Sequence, residues 1–127
     1  MILYKFNVHS SPSSVGRSLT WIAREFRYDN GTWRFTTWLG AYASLSFNGT
    51  SVWVYGAKRN DSGEYRVELD GQNSTFDGFD DGGLFRQVLF SAVDLDDTKL
   101  HTLSITNQFT DDARPYLDVD WVSIPVL

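Results

Sequence analysis

The segment 42–71 reads YASLSF, NGTS, VWVYGAKR, NDSG, EYRVEL and DG, and its three longer runs alternate apolar and polar residues between short turn sequences. Alternation with a period of two is typical of a β-strand that buries one face. Asn48-Gly49 and Asp70-Gly71 favour tight turns, because Asn, Asp and Gly tolerate positive φ. The segment therefore predicts two or three consecutive antiparallel strands, with a hairpin at Asn48-Gly49.

The rest of the chain shows the same short runs between turn sequences. Further strands are predicted at residues 2–8, 33–36, 84–91, 99–106 and 116–124, and polar loops at 73–83 and 107–115. Residues 19–28 fit a strand or a helical turn equally well. About eight strands predict one all-β domain over residues 1–127, a single antiparallel β-sandwich of the jelly-roll type. The predicted core consists of Val52, Val54, Val67, Leu69, Leu89, Leu103, Ile105 and Val119. In residues 52–55 either parity fits, so Trp53 and Tyr55 are the alternative to Val52 and Val54.

Composition excludes several classes of partner. The net charge of −5 argues against nucleic acid, which requires a basic surface. No apolar run approaches the roughly 20 residues of a membrane span, so we expect no membrane insertion by this chain. We also expect no signal peptide within it. The chain has no cysteine, which excludes thiolate catalysis and cysteine zinc sites. Aromatic residues make up 16% of the chain, which fits either ordinary strand preference or a sugar-stacking surface.

Four Asn-x-Ser/Thr triplets begin at Asn30, Asn48, Asn60 and Asn73, all in predicted turns. Such triplets are N-glycosylation acceptors in secreted proteins, although Asn-Gly-Thr is also a good turn sequence. They favour a glycoprotein that is extracellular or on the cell surface.

Motifs of nucleophilic or zinc catalysis are absent from the sequence. His101 shares its strand parity with Leu103 and Ile105, so we expect it to pack inward. Carboxylates are the only acid–base candidates, but Asp in Gly-rich loops is ordinary turn chemistry. Asp118 and Asp120 are predicted to share one face of the last strand, either exposed or separated by a cation, water or an arginine such as Arg114. We therefore predict that the chain is not an enzyme.

Several stretches carry a resemblance to a known family: ASLSFNGTSVWVYG (43–56), YRVELDG (65–71), LFSA (89–92), LHTLSITN (100–107) and YLDVDWV (116–122). Together they resemble the β-sandwich ectodomain of fungal, especially mushroom-type, surface and secreted proteins. That domain is similar to galactose-binding-domain-like jelly rolls and carbohydrate-binding modules. The resemblance implies that Asp120 helps to hold a structural calcium, although the first strand, residues 2–5, offers no acidic partner.

The resemblance also places a ligand site at loop ends on one edge of the sandwich. The matching residues here are Trp33, Trp38, Arg59, Asn107, Asp111 and Arg114. The leading hypothesis is a non-catalytic carbohydrate-binding module or lectin that requires no cofactor, with calcium as an optional ion. A homo-oligomer would raise its avidity. The alternatives are a structural or sensor ectodomain that mediates protein contacts, and a glycosidase that uses loop carboxylates.

Overall fold

The computed structural model describes residues 2–5, 19–24, 27–29 and 33–124, and within them it contains twelve β-strands and no helix. The strands are β1 Ile2–Lys5, β2 Leu19–Arg24, β3 Arg27–Asp29, β4 Trp33–Thr36, β5 Tyr42–Phe47, β6 Val52–Lys58, β7 Glu64–Leu69, β8 Gln72–Asp77, β9 Leu84–Ala92, β10 His101–Asn107, β11 Leu117–Val119 and β12 Trp121–Ile124. The predicted all-β class is confirmed, with more and shorter strands than the eight expected.

The strands form three antiparallel sheets that enclose one core. The order is β1-β12-β6-β9 in a four-stranded sheet, β2-β5-β10-β7-β8 in a five-stranded sheet and β11-β4-β3 in a three-stranded sheet. Val54 and Val122 from the four-stranded sheet belong to the same buried cluster as Leu45, Leu103 and Ile105 from the five-stranded sheet. The molecule is therefore the β-sandwich that the sequence predicts.

Period-two alternation decides which side chains enter this core. In β5 every second residue is buried, and in β6 Val52 and Val54 are buried while Trp53 and Tyr55 stay partly exposed. Seven of the eight predicted core residues are buried, and the eighth, Leu69, packs against the cluster while partly exposed. His101 is also buried, as expected.

The predicted hairpin at Asn48-Gly49 is wrong. Strand β5 pairs with β2 and β10, whereas β6 pairs with β12 and β9, so this turn carries the chain from one sheet to the other. Half-buried strands have the same alternating pattern in either sheet, so the pattern does not show which strand pairs with which. The turn at Asp70-Gly71 does join paired strands, β7 and β8, and both of its residues have positive φ, 51° and 87°.

Two further elements differ from the prediction. Part of the predicted loop 73–83 is strand β8, which lies at the edge of the five-stranded sheet with all six residues exposed. Its polar sequence is that of a solvated edge rather than of a loop. The predicted last strand breaks at Asp120, whose backbone N–H donates to the Tyr55 carbonyl oxygen (2.8 Å), so that β11 and β12 belong to different sheets.

Candidate functional site

Loops from all three sheets meet at one end of the sandwich, which we call the site end: the end of β6, the end of β10 and the start of β11. The Gly40 backbone N–H donates to the Asn107 carbonyl oxygen (2.8 Å), which joins the turn before β5 to the end of β10. The Tyr116 N–H donates to the Asp61 carbonyl oxygen (3.1 Å), which joins the approach to β11 to the turn after β6. Backbone hydrogen bonds thus hold these loops together.

An ion pair between Arg59 and Asp118 lies within this end. Arg59 Nε is 3.1 Å from Asp118 Oδ2 and 3.4 Å from Asp61 Oδ1. The guanidinium also lies 4.9 Å from the centroid of the Tyr116 ring. The Asp118 side chain is only 1% exposed, so the guanidinium compensates a carboxylate that water hardly reaches.

The pKa of Asp118 is raised to about 7, chiefly because burial penalises the charged carboxylate. Arg59 opposes that shift, and the charges of Asp120 and Asp61 add to it. The expectation of an exposed strand face is wrong for Asp118, whereas the expected arginine is present, and it is Arg59 rather than Arg114. All three residues of β11 are buried, because this short strand packs against β6 as well as pairing with β4.

Gly56 in β6 permits that close approach. A Cβ built at Gly56 would overlap the backbone carbonyl oxygen of Asp118 and lie 2.7 Å from a methyl group of Leu89. Only glycine allows the two backbones to come so near. The position of the buried carboxylate therefore depends on this residue.

A β-bulge in β9 forms the other wall of the site. Gly56 lies opposite Gln87 and Lys58 opposite Leu84, so Phe85 and Arg86 together face the single residue Ala57. Arg86 adopts φ of 56°, and Phe85 is 69% exposed. Bulges of this kind bend a strand and redirect its side chains.

Between the bulge and β11 lies a cleft of about 260 Å3, which we call the Arg59 cleft. It is lined by two aromatic rings, two arginines and two carboxylates: Phe85, Trp121, Arg59, Arg86, Asp118 and Asp120. The Trp121 ring stacks on Tyr55 (centroids 5.0 Å apart), and the Arg86 guanidinium lies 6.0 Å from the Trp121 centroid. Phe85 is thus the more accessible of the two rings.

Of the predicted site residues, Arg59 lines the cleft, and Asn107, Asp111 and Arg114 occupy other positions at the site end. Asn107 is fully buried, and its side-chain amide donates to the Pro115 carbonyl oxygen (2.8 Å). Asp111 is exposed and accepts a hydrogen bond from the Ala113 N–H (2.9 Å). Arg114 binds Asp77 (3.2 Å) and lies 4.8 Å from the centroid of the Phe79 ring. None of these three lines the cleft.

The two predicted tryptophans lie before β5. Trp38 is 54% exposed in the turn that enters β5, at the site end but outside the cleft lining. Trp33 begins β4, opposite Asp29 of β3, and its side chain lies outside the described part of the structure. The sequence interpretation missed Phe85, Arg86 and Trp121, whose convergence depends on the bulge and on the pairing of three strands.

Asp120 sits in the cleft lining, between β11 and β12. Within residues 2–5, 19–24, 27–29 and 33–124, no three His, Cys, Asp or Glu side chains are grouped so as to hold a metal ion. Bound calcium at Asp120 stays a prediction. In the same ranges, no helix has the length and apolar character needed to cross a membrane.

The asparagines predicted to be glycosylated lie in different environments. The Asn48 side-chain amide donates to the Lys99 carbonyl oxygen (2.9 Å), Asn60 is exposed in the turn after β6, and Asn73 is exposed on the edge strand β8 rather than in a turn. Asn30 lies outside the described residues. Glycosylation at all four positions stays a prediction.

Comparison with solved structures supports the fold. The chain is similar to a two-domain esterase active on acetylated mannans, with a TM-score of 0.63 and 15% identity over 97% of this chain and 36% of that one. It is also similar to the CBM36-1 domain of a multidomain xylanase from the hindgut metagenome of Trinervitermes trinervoides, with a TM-score of 0.55 and 9% identity over 99% of this chain and 97% of that one. An insecticidal crystal protein, Cry2Aa, matches with a TM-score of 0.52 and 15% identity over 91% of this chain and 22% of that one.

No protein-family model and no curated protein sequence matches the chain. The chain spans about a third of the length of the esterase. At these identities the likeness concerns the fold alone. The chain and the CBM36-1 domain share a β-sandwich fold, and their match extends over almost the whole length of both.

Proposed function

We propose that this chain is a non-catalytic carbohydrate-binding module that binds glycans at the site end, with the Arg59 cleft as its main site. The carrying observation is the composition of the cleft: an exposed ring, Phe85, stands beside an ion pair between the partly exposed Arg59 and the buried Asp118. Apolar surface with a few fixed polar groups is the usual chemistry of a small-ligand site. The cleft is smaller than the roughly 300–1,000 Å3 of drug-sized sites, which suits a single sugar ring.

In this proposal a sugar ring stacks its apolar face on Phe85. Its hydroxyl groups donate hydrogen bonds to the carboxylate of Asp120 and accept them from the guanidinium of Arg59. The ion pair with Asp118 holds Arg59 in place before the ligand arrives, which reduces the ordering cost of binding. Affinity per site should be low, because sugar hydroxyls exchange hydrogen bonds with water for similar bonds with the protein.

The position of the only described histidine supports a non-catalytic role. His101 begins β10, at the end of that strand opposite to Asn107. Its Nδ1 is 2.6 Å from Asp70 Oδ2 and its Nε2 is 2.7 Å from the Asp96 carbonyl oxygen, so both ring nitrogens are engaged. This histidine cannot act as a base in the Arg59 cleft.

The glycosidase alternative rests on Asp118, whose raised pKa of about 7 is a property of many general acids. Its deep burial and its ion pair with Arg59 explain the shift without catalysis. Purified protein should show no turnover of acetylated mannan, xylan or other common glycans. Turnover that disappears in Asp118→Asn, with the fold retained, would establish the enzyme instead.

The binding site is tested with two exposed aromatic residues. A glycan identified on an array is titrated by calorimetry against wild-type protein, Phe85→Ala, Trp38→Ala and the control Leu100→Ala. Leu100 is 55% exposed but lies beside His101 at the other end of the sandwich. We expect Phe85→Ala to lose about 1–3 kcal/mol of binding free energy, by analogy with base stacking on aromatic side chains.

The outcomes separate the two surfaces. Loss of affinity in Trp38→Ala alone would place the stacking ring in the turn before β5, at one of the residues that the sequence predicts for the site. Unchanged affinity in both aromatic variants, with Leu100→Ala also unchanged, would contradict a stacking site at this end.

The protein-contact alternative is favoured by a separate groove of about 340 Å3 between the edge strands β8 and β9. Exposed apolar side chains, Phe76 and Val88, line it. Exposed apolar surface of this kind often marks an interaction site. Light scattering over a range of concentrations tests the homo-oligomer, and the substitution Val88→Glu should dissociate an oligomer formed through this groove.

Glycan binding also accords with the proposal that the protein is secreted or displayed on a cell surface, as in the fungal ectodomains it resembles. Peptide-N-glycosidase treatment of protein purified from its native source would test glycosylation at the four Asn positions. A mass loss there supports the secretory route, and an unmodified protein argues against it.

A further inference from the structure

The bulge in β9 combines two features that do not stabilise the sandwich. Arg86 adopts a left-handed backbone conformation, with φ of 56°, which residues other than Gly, Asn and Asp rarely adopt. Phe85 leaves 69% of its surface exposed and does not belong to the core cluster. Strained backbone and exposed apolar rings persist where binding uses them.

The two arginines of the cleft differ in their partners. Arg59 Nε lies 3.1 Å from Asp118 and 3.4 Å from Asp61, so its charge is compensated within the protein. Arg86 has no carboxylate within ion-pair distance among the described residues, and its guanidinium rests near the Trp121 ring. Arg86 is therefore the cleft cation that can pair with a ligand.

The two carboxylates of the cleft, Asp118 and Asp120, differ in how strongly they would repel an anionic ligand on Arg86. Asp118 is 1% exposed and is held by Arg59, so most of its charge is hidden from a ligand. Asp120 is partly exposed, so its charge opposes an anionic ligand more than that of Asp118 does. A ligand that places an anionic group on Arg86 gains from a guanidinium whose planar fork matches a carboxylate or sulfate.

Building on the proposed function, we propose that the Arg59 cleft recognises a sugar with an anionic substituent, with the ring on Phe85 and the substituent on Arg86. The two side chains are adjacent in sequence, and the bulge makes both of them line one cleft. In this proposal the left-handed backbone conformation of Arg86, which costs free energy of folding, contributes to ligand specificity.

Matched pairs of ligands test the proposal. Trigalacturonic acid is compared with its methyl ester, and a glucuronic-acid-substituted xylo-oligosaccharide with the unsubstituted chain, by calorimetry at low ionic strength. Each acidic ligand should bind about two- to fivefold more tightly than its neutral partner, the size of one exposed ion pair. The preference should shrink in high salt. A sulfated oligosaccharide and its unsulfated parent distinguish sulfate from carboxylate as the preferred group.

Substitutions at Phe85 and Arg86 test whether the bulge causes the preference for acidic ligands. Arg86→Gln should abolish the preference for the acidic ligands, whereas Arg86→Lys should keep part of it. Phe85→Ala should weaken acidic and neutral ligands by the same factor. Arg86→Gly should also lose the preference, and it should raise the thermal unfolding midpoint, because glycine adopts positive φ without strain.

The results separate this inference from the proposed function. Equal affinity for acidic and neutral partners in wild-type protein, or a preference that persists in Arg86→Gln, overturns the role of Arg86 and leaves glycan binding intact. If no glycan of any charge binds, both the proposed function and this inference fail.

Discussion

His101 links two loops at the end of the sandwich away from the Arg59 cleft. A backbone carbonyl can only accept, so the Nε2 contact with Asp96 and the Nδ1 contact with the Asp70 carboxylate are both satisfied when the ring is a cation. Burial acts against the charge, but the bonds to Asp70 and Asp96 outweigh it and raise the pKa of His101. The pKa of Asp70 is lowered, since the bonds from His101 and Thr102 outweigh its partial burial.

We therefore expect the Asp70–His101 pair to stabilise the fold at mildly acidic pH. The contribution of His101 is full below its ordinary pKa of 6.5 and is lost as the pH rises through its higher folded value. That of Asp70 is present above 3.8 and is lost as the pH falls through its lower folded value. Asp70→Asn, which tolerates the positive φ, should lose up to about 1 kcal/mol of unfolding free energy near pH 5.

Urea denaturation at pH 5 and at pH 9 measures this difference, with Asp97→Asn in the neighbouring loop as control. An Asp70→Asn loss that is as large at pH 9 as at pH 5 would show that the pair acts through geometry rather than charge.

The ionisation of Asp118 is a second residue-scale prediction. Because its pKa rises from 3.8 to about 7 on folding, the protonated form favours the folded state. The stabilisation is full below pH 3.8 and is lost as the pH rises through about 7. Carboxyl carbon-13 NMR should show one aspartate that titrates near pH 7 and is missing from Asp118→Asn. Titration of every aspartate below pH 5 would contradict this account.

At the scale of the element, contact between β6 and β11 depends on the absence of a side chain at Gly56. Gly56→Ala should lower the free energy of unfolding by about 1–3 kcal/mol, the usual cost of overpacking, because the obstructing atom is backbone. Gly82→Ala is the control, since its Cβ would meet only Asp80 Oδ2, at 3.8 Å. Denaturant midpoints measure both, and equal midpoints for the two variants would mean that β11 can shift at little cost.

At the scale of the whole molecule, we expect folding to proceed without calcium. The unfolding midpoint should be the same in EDTA and in calcium chloride, because a single core shared by the three sheets accounts for the fold. A calcium-dependent rise in the midpoint that Asp120→Asn abolishes would instead establish the site that the family resemblance implies. A rise that persists in that variant would place a calcium site elsewhere.

The sequence alone determines the fold class and the inward face of most strands. Period-two alternation is a local pattern, so Val67 and Leu103 could be assigned to the core without a structure, whereas only the structure decides between Val52/Val54 and Trp53/Tyr55. The Asp70-Gly71 turn was likewise predictable, because positive φ is a property of the residues themselves.

Tertiary structure decides which strands pair and what their ends bring together. The turn at Asn48-Gly49 connects two sheets rather than two paired strands, and the last predicted strand breaks at Asp120. Arg59 meets Asp118 across 59 positions of sequence, and Phe85 and Arg86 enter the cleft through a register shift between β6 and β9. Such contacts depend on long-range packing, which no local pattern encodes. The sequence therefore predicts a sandwich with an aromatic binding edge, whereas long-range packing decides which residues form the Arg59 cleft.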